Sequence, residues 1–337
     1  MVCVQRGVRN LGDPMSSWRQ QEPGRRDRPN EGAATAHRES DSPIVLGGRE
    51  SRSQGEAANR DTKPAKETGA GQAGPGIDLP TSLRGIANRA QRDKKHRFRN
   101  LYGMLNAAFL EESWRGIRKR AASGVDKVSA WEYGKRLHDN VMGLVERLKS
   151  KQYRARLVRR RWIPKENGKR RPLGIPVVED KLVQAGVARI LTAIYEQDFF
   201  RCSYGYRPKV GARDAVEKLT VKLQFGKYEH VVDIDLENFF GTIDHDKLIE
   251  MLAERIDDQA LLRLIRKWLK AGVLEEDGQI EHPATGAPQG GVISPVLANV
   301  YLHHVVDKWF HRVVWTRCQG EACLERRSGR KPMIQIT

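Results

Sequence analysis

From residue 81 onward, apolar positions recur with helical or extended periods, whereas the first 80 residues show neither. Phe98, Leu101, Tyr102, Leu105 and Phe109 fall three or four residues apart, interleaved with Arg89, Arg92, Lys94, Lys95, Arg97 and Arg99. That spacing predicts a helical stretch with one packed face and one basic face. The string ASGVDKV at 122–128 reads as a turn, and a second helical segment is expected over about 131–149. Two extended arms, LVRRRWIPK and RRPLGIPVV, then flank Glu166-Asn167-Gly168-Lys169. Asn-Gly between extended arms signals a tight hairpin, because both central residues of the favoured turn take positive φ. A helix over about 180–200 follows, with Leu182, Val183, Val187, Ile190, Leu191 and Ile194 on its apolar face. After the loop SYGYRPKVGA come a helix at 212–223, a short buried strand at 229–236, and Leu/Ile-rich helices at 246–256 and 259–271. A weaker hairpin surrounds Asp277-Gly278, and the loop GAPQGGVISP leads into a last helix carrying Val296, Leu297, Val300, Tyr301 and Val305. There is no internal repeat.

Residues 1–80 hold one aromatic, Trp18, among many Gly, Pro, Ser and charged positions, too little apolar surface to offset the entropy of ordering. They are expected to be disordered. The whole chain of 337 residues has a net charge of +18, yet these 80 contain 12 Lys+Arg against 11 Asp+Glu. The surplus therefore sits on the part with periodic structure, where its field attracts polyanions; a basic surface serving only solubility is the alternative. The densest run is 149–171, with 11 Lys+Arg and one acid, Glu166. No apolar run suits a secretory signal or a membrane span, and an organellar transit peptide would be poor in acids. Cys318 and Cys323 are five apart, with no second Cys/His pair to complete a zinc site. A reduced, cytoplasmic protein without a membrane partner is expected.

Candidate chemistry centres on VVDIDLENFF. With a period of two, Val231, Asp233 and Asp235 share one side of a strand while Val232, Ile234 and Leu236 share the other. Carboxylates at the end of an apolar strand need a compensating cation, and a hard divalent ion such as Mg²⁺ is the natural occupant; polar punctuation at a strand end is the plainer reading. The loop GAPQGGVISP would let backbone N–H groups and Gln289 approach a ligand closely, although an ordinary loop and helix cap reads equally well.

In sequence order, RWIPKENGKRRPLGIP, DKLVQAGVARILTAIYEQDFF, SYGYRPKVGARDAV, VVDIDLENFFGTIDHDKL and GAPQGGVISPVLANVYLHHVVDKW resemble successive blocks of group II intron-encoded reverse transcriptase/maturases. The resemblance covers about 84–324. It implies an α+β right-hand polymerase: a disordered tail (1–80), a helical N-terminal extension (81–154), fingers (155–228), a partial palm (229–324) and an unrelated C-terminal tail (325–337). By that resemblance the activity is RNA-directed DNA synthesis by a two-metal mechanism with Mg²⁺, with a role in intron splicing and mobility. The implied partners are group II intron RNA, an RNA template with a DNA primer, and deoxynucleoside triphosphates. Asp235 then matches the first catalytic, metal-binding aspartate, with the backbone carbonyl of Leu236 facing the same ion. Phe240 matches the aromatic that crowds the sugar 2′ position, Lys165 and Arg171 the residues that hold the triphosphate, and Gln289 the loop that lines nucleotide and template. Arg92, Lys94, Lys95, Arg97, Arg159, Arg160 and Arg161 are the expected RNA contacts, and Asp233 matches no metal ligand.

The sequence departs from that pattern in two ways. Gly241 stands where relatives commonly have Asp, and no Tyr-x-Asp-Asp follows the segment RCQGEACL at 317–324. The expectation is a chain truncated before the Tyr-Ala-Asp-Asp motif, lacking thumb and maturase regions and inactive alone. RNA binding without catalysis is the alternative function.

Overall fold

The computed structural model describes residues 81–164, 168–226, 232–314 and 316. The tail at 1–80, Lys165, the start of the expected strand at 229–231, Cys318, Cys323 and the segment 325–337 lie outside the described residues. What is described is a mixed α/β fold in which helices surround one long apolar helix and a small sheet packs at its edge.

That helix is α5 (Val178–Tyr195), and Leu182, Val183, Val187, Ile190, Leu191 and Ile194 are all fully buried. Three other helices cover it: α1 (Thr81–Arg92), α2 (Ala107–Trp114) and α10 (Ser294–Leu302). Phe98, Leu101, Leu105 and Phe109 are buried as their spacing implies and Tyr102 is half-buried, but the continuous helix expected there is not formed. α1 stops at Arg92, where Arg255 donates to the carbonyls of Ala90, Asp93 and His96, groups a longer helix would keep for itself. Phe98 pairs in extended form with Ile256, Asn100 takes φ +57°, a short 3₁₀ turn covers Tyr102–Met104, and the Asn106 side chain caps α2 by accepting from Phe109 N–H. The second segment divides likewise at Arg136 into α3 (Ala130–Lys135) and α4 (Leu137–Lys149).

The basic hairpin forms as β1 (Val158–Pro164) and β2 (Arg170–Ile175), antiparallel from Arg159 opposite Ile175 to Pro164 opposite Arg170. The weaker hairpin also forms, as β3 (Val273–Leu274) and β4 (Ile280–Glu281), and β3 joins β1 in parallel to give the order β2-β1-β3-β4. The remaining helices are α6 (Ala212–Phe225), the single turn α7 (Phe239–Thr242), α8 (His245–Ala253) and α9 (Gln259–Leu269). Asp244 and Asp258 cap α8 and α9 by accepting from backbone N–H groups. Beyond α10 the chain continues through π-helical turns at His303–Asp307 and Phe310–Val314.

A second expectation fails as well. The described part of the predicted strand, 232–236, has no regular structure, and Val232 and Ile234 are 76% and 62% exposed rather than buried. An apolar strand needs a neighbour for its backbone groups and a layer over its face. The four strands of the sheet pair among themselves, and none lies beside this segment.

Candidate active site

The loop at 285–291 joins the parts of the site. On one side, Gly286 N–H donates to Ile243 O at 2.7 Å, Ala287 N–H to Phe240 O at 2.8 Å, and the Thr285 hydroxyl to Gly241 O at 3.0 Å. The His245 ring holds Gly286 O from Nε2 at 2.7 Å. Gly286 has φ +95°, and a Cβ there would stand 2.9 Å from Phe240 O. On the other side, Gly174 N–H of β2 donates to Gln289 O at 2.5 Å. Gly290 has φ +107°, and a Cβ on it would lie 2.6 Å from Gly174 O and 2.8 Å from Leu173 Cδ1. Glycine is required at both positions because the backbones touch and φ is positive. Gln184 on α5 fixes the loop from below by accepting from Val292 N–H at 3.0 Å. Through this loop the short helix behind Asp235 and the edge strand of the basic hairpin become one unit, and the free edge of β2 is covered.

Asp235 is exposed and Leu236 half-buried on the irregular segment leading into α7. Phe240 is half-buried, its ring packed edge-on by Phe239 at 5.5 Å and by Tyr206 at 6.3 Å. Arg171 is exposed on β2 and, two residues from Leu173, shares the strand face turned toward Gly290. Gln289 is half-buried in the loop. The Asn238 side chain fills the space that a Cβ on Gly241 would need.

Tyr206 was not among the expected site residues. It is exposed, at φ +54°, on a loop held from both ends: Arg207 grips the Glu196 carboxylate and the carbonyls of Phe200 and Ser203, and Asn299 Nδ2 donates to Gly205 O at 2.8 Å. Two tyrosines beside a glycine and an arginine in SYGYRP were the available signal.

Several basic residues expected to meet RNA are partnered within the fold. Lys94 pairs with Asp198, and Arg97 and Arg99 pair with Asp257. Arg160 lies 2.9 Å from Glu275, and Arg161 3.1 Å from Glu276. Arg159 is half-buried, with its Nε unpartnered in the interior. Arg92 and Lys95 are exposed and have no acidic partner among the described residues, and Arg115, Arg118 and Arg120, which sequence reasoning missed, share that character. Lys119 lies over the Trp114 ring at 3.5 Å, and burial lowers its ammonium to about 8.

Beneath the loop, buried Asp180 accepts from the Tyr153 hydroxyl and from Arg156 N–H at 2.9 Å, and Trp268 Nε1 donates to Tyr153 at 2.9 Å. Burial pushes the Asp180 carboxyl up to about 6, against the lowering effect of those hydrogen bonds. An unfolded Asp titrates near ~4, so the protonated form is favoured by folding. Stability from this group is complete below pH ~4 and is lost as pH rises through about 6, a change of about 3 kcal/mol. Melting temperatures across pH 4–7 should therefore carry a downward component that Asp180→Asn removes, and an identical profile for the variant would contradict this.

Among the described residues, no three His, Cys, Asp or Glu side chains converge on one point. Mg²⁺ keeps several waters and takes one or two carboxylates plus substrate phosphates, and the exposed Asp235 carboxylate is open to such an ion. A second ion would need further carboxylates.

Residues 163–323 match the family described as reverse transcriptase (RNA-dependent DNA polymerase). Over 213 residues the chain is 38% identical to the group II intron-encoded protein LtrA of Lactococcus lactis subsp. cremoris, covering 63% of this chain and 32% of LtrA. Over 195 residues it is 37% identical to protein YkfC of Escherichia coli (strain K12), covering 56% of this chain and 50% of YkfC. Nuclear intron maturase 4, mitochondrial, of Arabidopsis thaliana is 26% identical over 141 residues, covering 42% of this chain and 17% of that protein. The chain thus spans half or less of the length of these relatives. Residues 163–323 thus match a reverse transcriptase domain, and the chain is similar over that stretch to group II intron-encoded proteins.

Proposed function

We propose that the chain forms the template- and nucleotide-holding part of an RNA-directed DNA polymerase acting in group II intron splicing and mobility. In this reading 81–154 is the N-terminal extension, 155–228 the fingers, and 229–324 the first part of the palm. The observation that carries it is the loop at 285–291, which hydrogen-bonds Phe240 on one side and β2 on the other. That bridge supports a site in which Arg171 holds the triphosphate with its fork, Gln289 lines the nucleotide, and Phe240 closes the space beside the sugar. Lys165 is assigned the same phosphate role from the other arm. Mg²⁺, when bound, would supply charge neutralisation at the triphosphate and the primer 3′-hydroxyl. Asp235 and the Leu236 carbonyl would hold it, and the described helices leave Asp235 open to solvent, where a substrate can reach it.

RNA binding without catalysis is a second reading, in keeping with the lack, among the described residues, of a cluster of three His, Cys, Asp or Glu side chains that could hold a metal ion. Both readings require a polyanion surface. No helix among the described residues is long and apolar enough to cross a membrane. A salt titration of binding to a primed RNA template tests that surface, since each neutralised phosphate contributes about 0.7–0.9 to the logarithmic slope. Charge reversal at Arg118 and Arg120, or at Arg92 and Lys95, should flatten the slope by about 1–2. Removing 1–80, which carry a surplus of only +1, should change it little. Salt-independent binding, or loss of binding on removing 1–80, would contradict the proposal.

A further inference from the structure

The β3–β4 hairpin carries Glu275, Glu276, Asp277 and Glu281 and no Lys or Arg over 273–281, in a chain whose net charge is +18. It lies along the most basic strand of the molecule. Glu275 is 2.9 Å and Glu281 4.0 Å from Arg160, and Glu276 is 3.1 Å from Arg161. The hairpin is otherwise lightly attached. Its backbone meets β1 only at Val158 with Val273 and Arg159 with Leu274. Val273 is buried, but Ile280 is 53% exposed, and the turn is closed by the hairpin's own bond from Glu275 N–H to Gln279 O. Beyond β3, charge is what holds the hairpin to β1.

From this geometry we infer that the hairpin is an electrostatic strap, whose carboxylates occupy the guanidinium groups that nucleic-acid phosphates would otherwise take on the fingers. Carboxylate and phosphate offer arginine the same pair of acceptor oxygens, so the two compete directly. The competition is graded. The Arg161 side chain is 57% exposed, and an exposed pair is weakly held, so a phosphate can displace Glu276 at little cost. The Arg160 side chain is 16% exposed between two acids, and freeing it requires the hairpin to lift. The strap thereby keeps the phosphate backbone off this part of β1 until enough contacts form elsewhere to open it, and it favours the bound geometry that does so over indiscriminate adhesion.

The inference rests on the nucleic-acid-binding reading above, and the test separates the two. The full chain carrying Glu275→Gln, Glu276→Gln and Glu281→Gln is titrated with salt on a primed RNA template. Exposing two arginines should steepen the logarithmic slope by about 1–2 and raise affinity at low salt. A control with Glu132→Gln, Glu146→Gln and Glu250→Gln removes the same charge from exposed positions away from the hairpin, where screening limits its reach, and should leave the slope near wild type. In an Arg160→Gln, Arg161→Gln background, neutralising the hairpin should do no more than the control. Glu276→Gln alone disturbs only the exposed pair and should give about half of the full effect, so the test survives misfolding of the triple variant. A triple variant and a Glu276→Gln variant that both match the control, or a gain that persists without the arginines, would overturn the strap. Absence of salt-dependent binding by the wild-type chain would instead overturn the binding reading.

Discussion

Phe240→Ala is expected to raise ribonucleotide incorporation relative to deoxyribonucleotide incorporation by about 10–100-fold in a preparation that extends a primer, the scale on which one lost group alters pocket discrimination. The ring is packed on two sides and its backbone is fixed. Phe239 and Tyr206 meet it edge-on, and its own carbonyl is bound by Ala287 N–H. A ring held there can exclude a 2′-hydroxyl only because it cannot swing away. The substitution removes the ring but keeps the backbone bond that ties α7 to the loop, so the site should remain assembled. Separate kcat and KM values for the two nucleotide classes provide the measurement. Selectivity unchanged while activity persists would make Phe240 a packing residue and undo the motif alignment.

Local signals in the sequence carried much of this fold. Asn-Gly between two arms located the basic hairpin, and the apolar period of α5 named residues that are fully buried. Asp277-Gly278 marked β3 and β4, although nothing in the sequence said that this hairpin joins β1 in parallel. Two expectations failed because the deciding partners are distant in the chain. Phe98, Leu101, Leu105 and Phe109 have helical spacing and are buried, but Arg255, more than 150 residues away, takes the carbonyls at the end of α1 and the helix stops there. The alternation in VVDIDL indicates a strand, yet a strand exists only beside another, and none lies next to 232–236 among the described residues.

The site shows the same division. Its sequence blocks were legible as strings, and the loop bonds two of the others together, which no string foretold. Tyr206 was hidden because its role depends on a contact with Phe240, 34 positions later. The basic surface was legible in amount but not in availability. Arg160 and Arg161 look like free cations in RRRWIPK, and only the folded chain brings Glu275 and Glu276 to them. Arg118 and Arg120 drew less notice in a shorter basic run, yet they have no acidic partner among the described residues.

The assignment of Asp235 is the central claim, and Mg²⁺-dependent primer extension on an RNA template tests it most directly. The 337 residues contain no Tyr-x-Asp-Asp. Extension is read in a preparation reconstituted with a polypeptide that supplies a Tyr-Ala-Asp-Asp strand. In that reconstituted preparation Asp235→Ala should reduce extension by about 100-fold or more, since even the outer partners of metal ligands cost 10–100-fold when lost. Asp233→Ala should leave extension within a few-fold of wild type. Robust extension by the Asp235→Ala protein would show that the metal-holding carboxylate lies elsewhere in the chain.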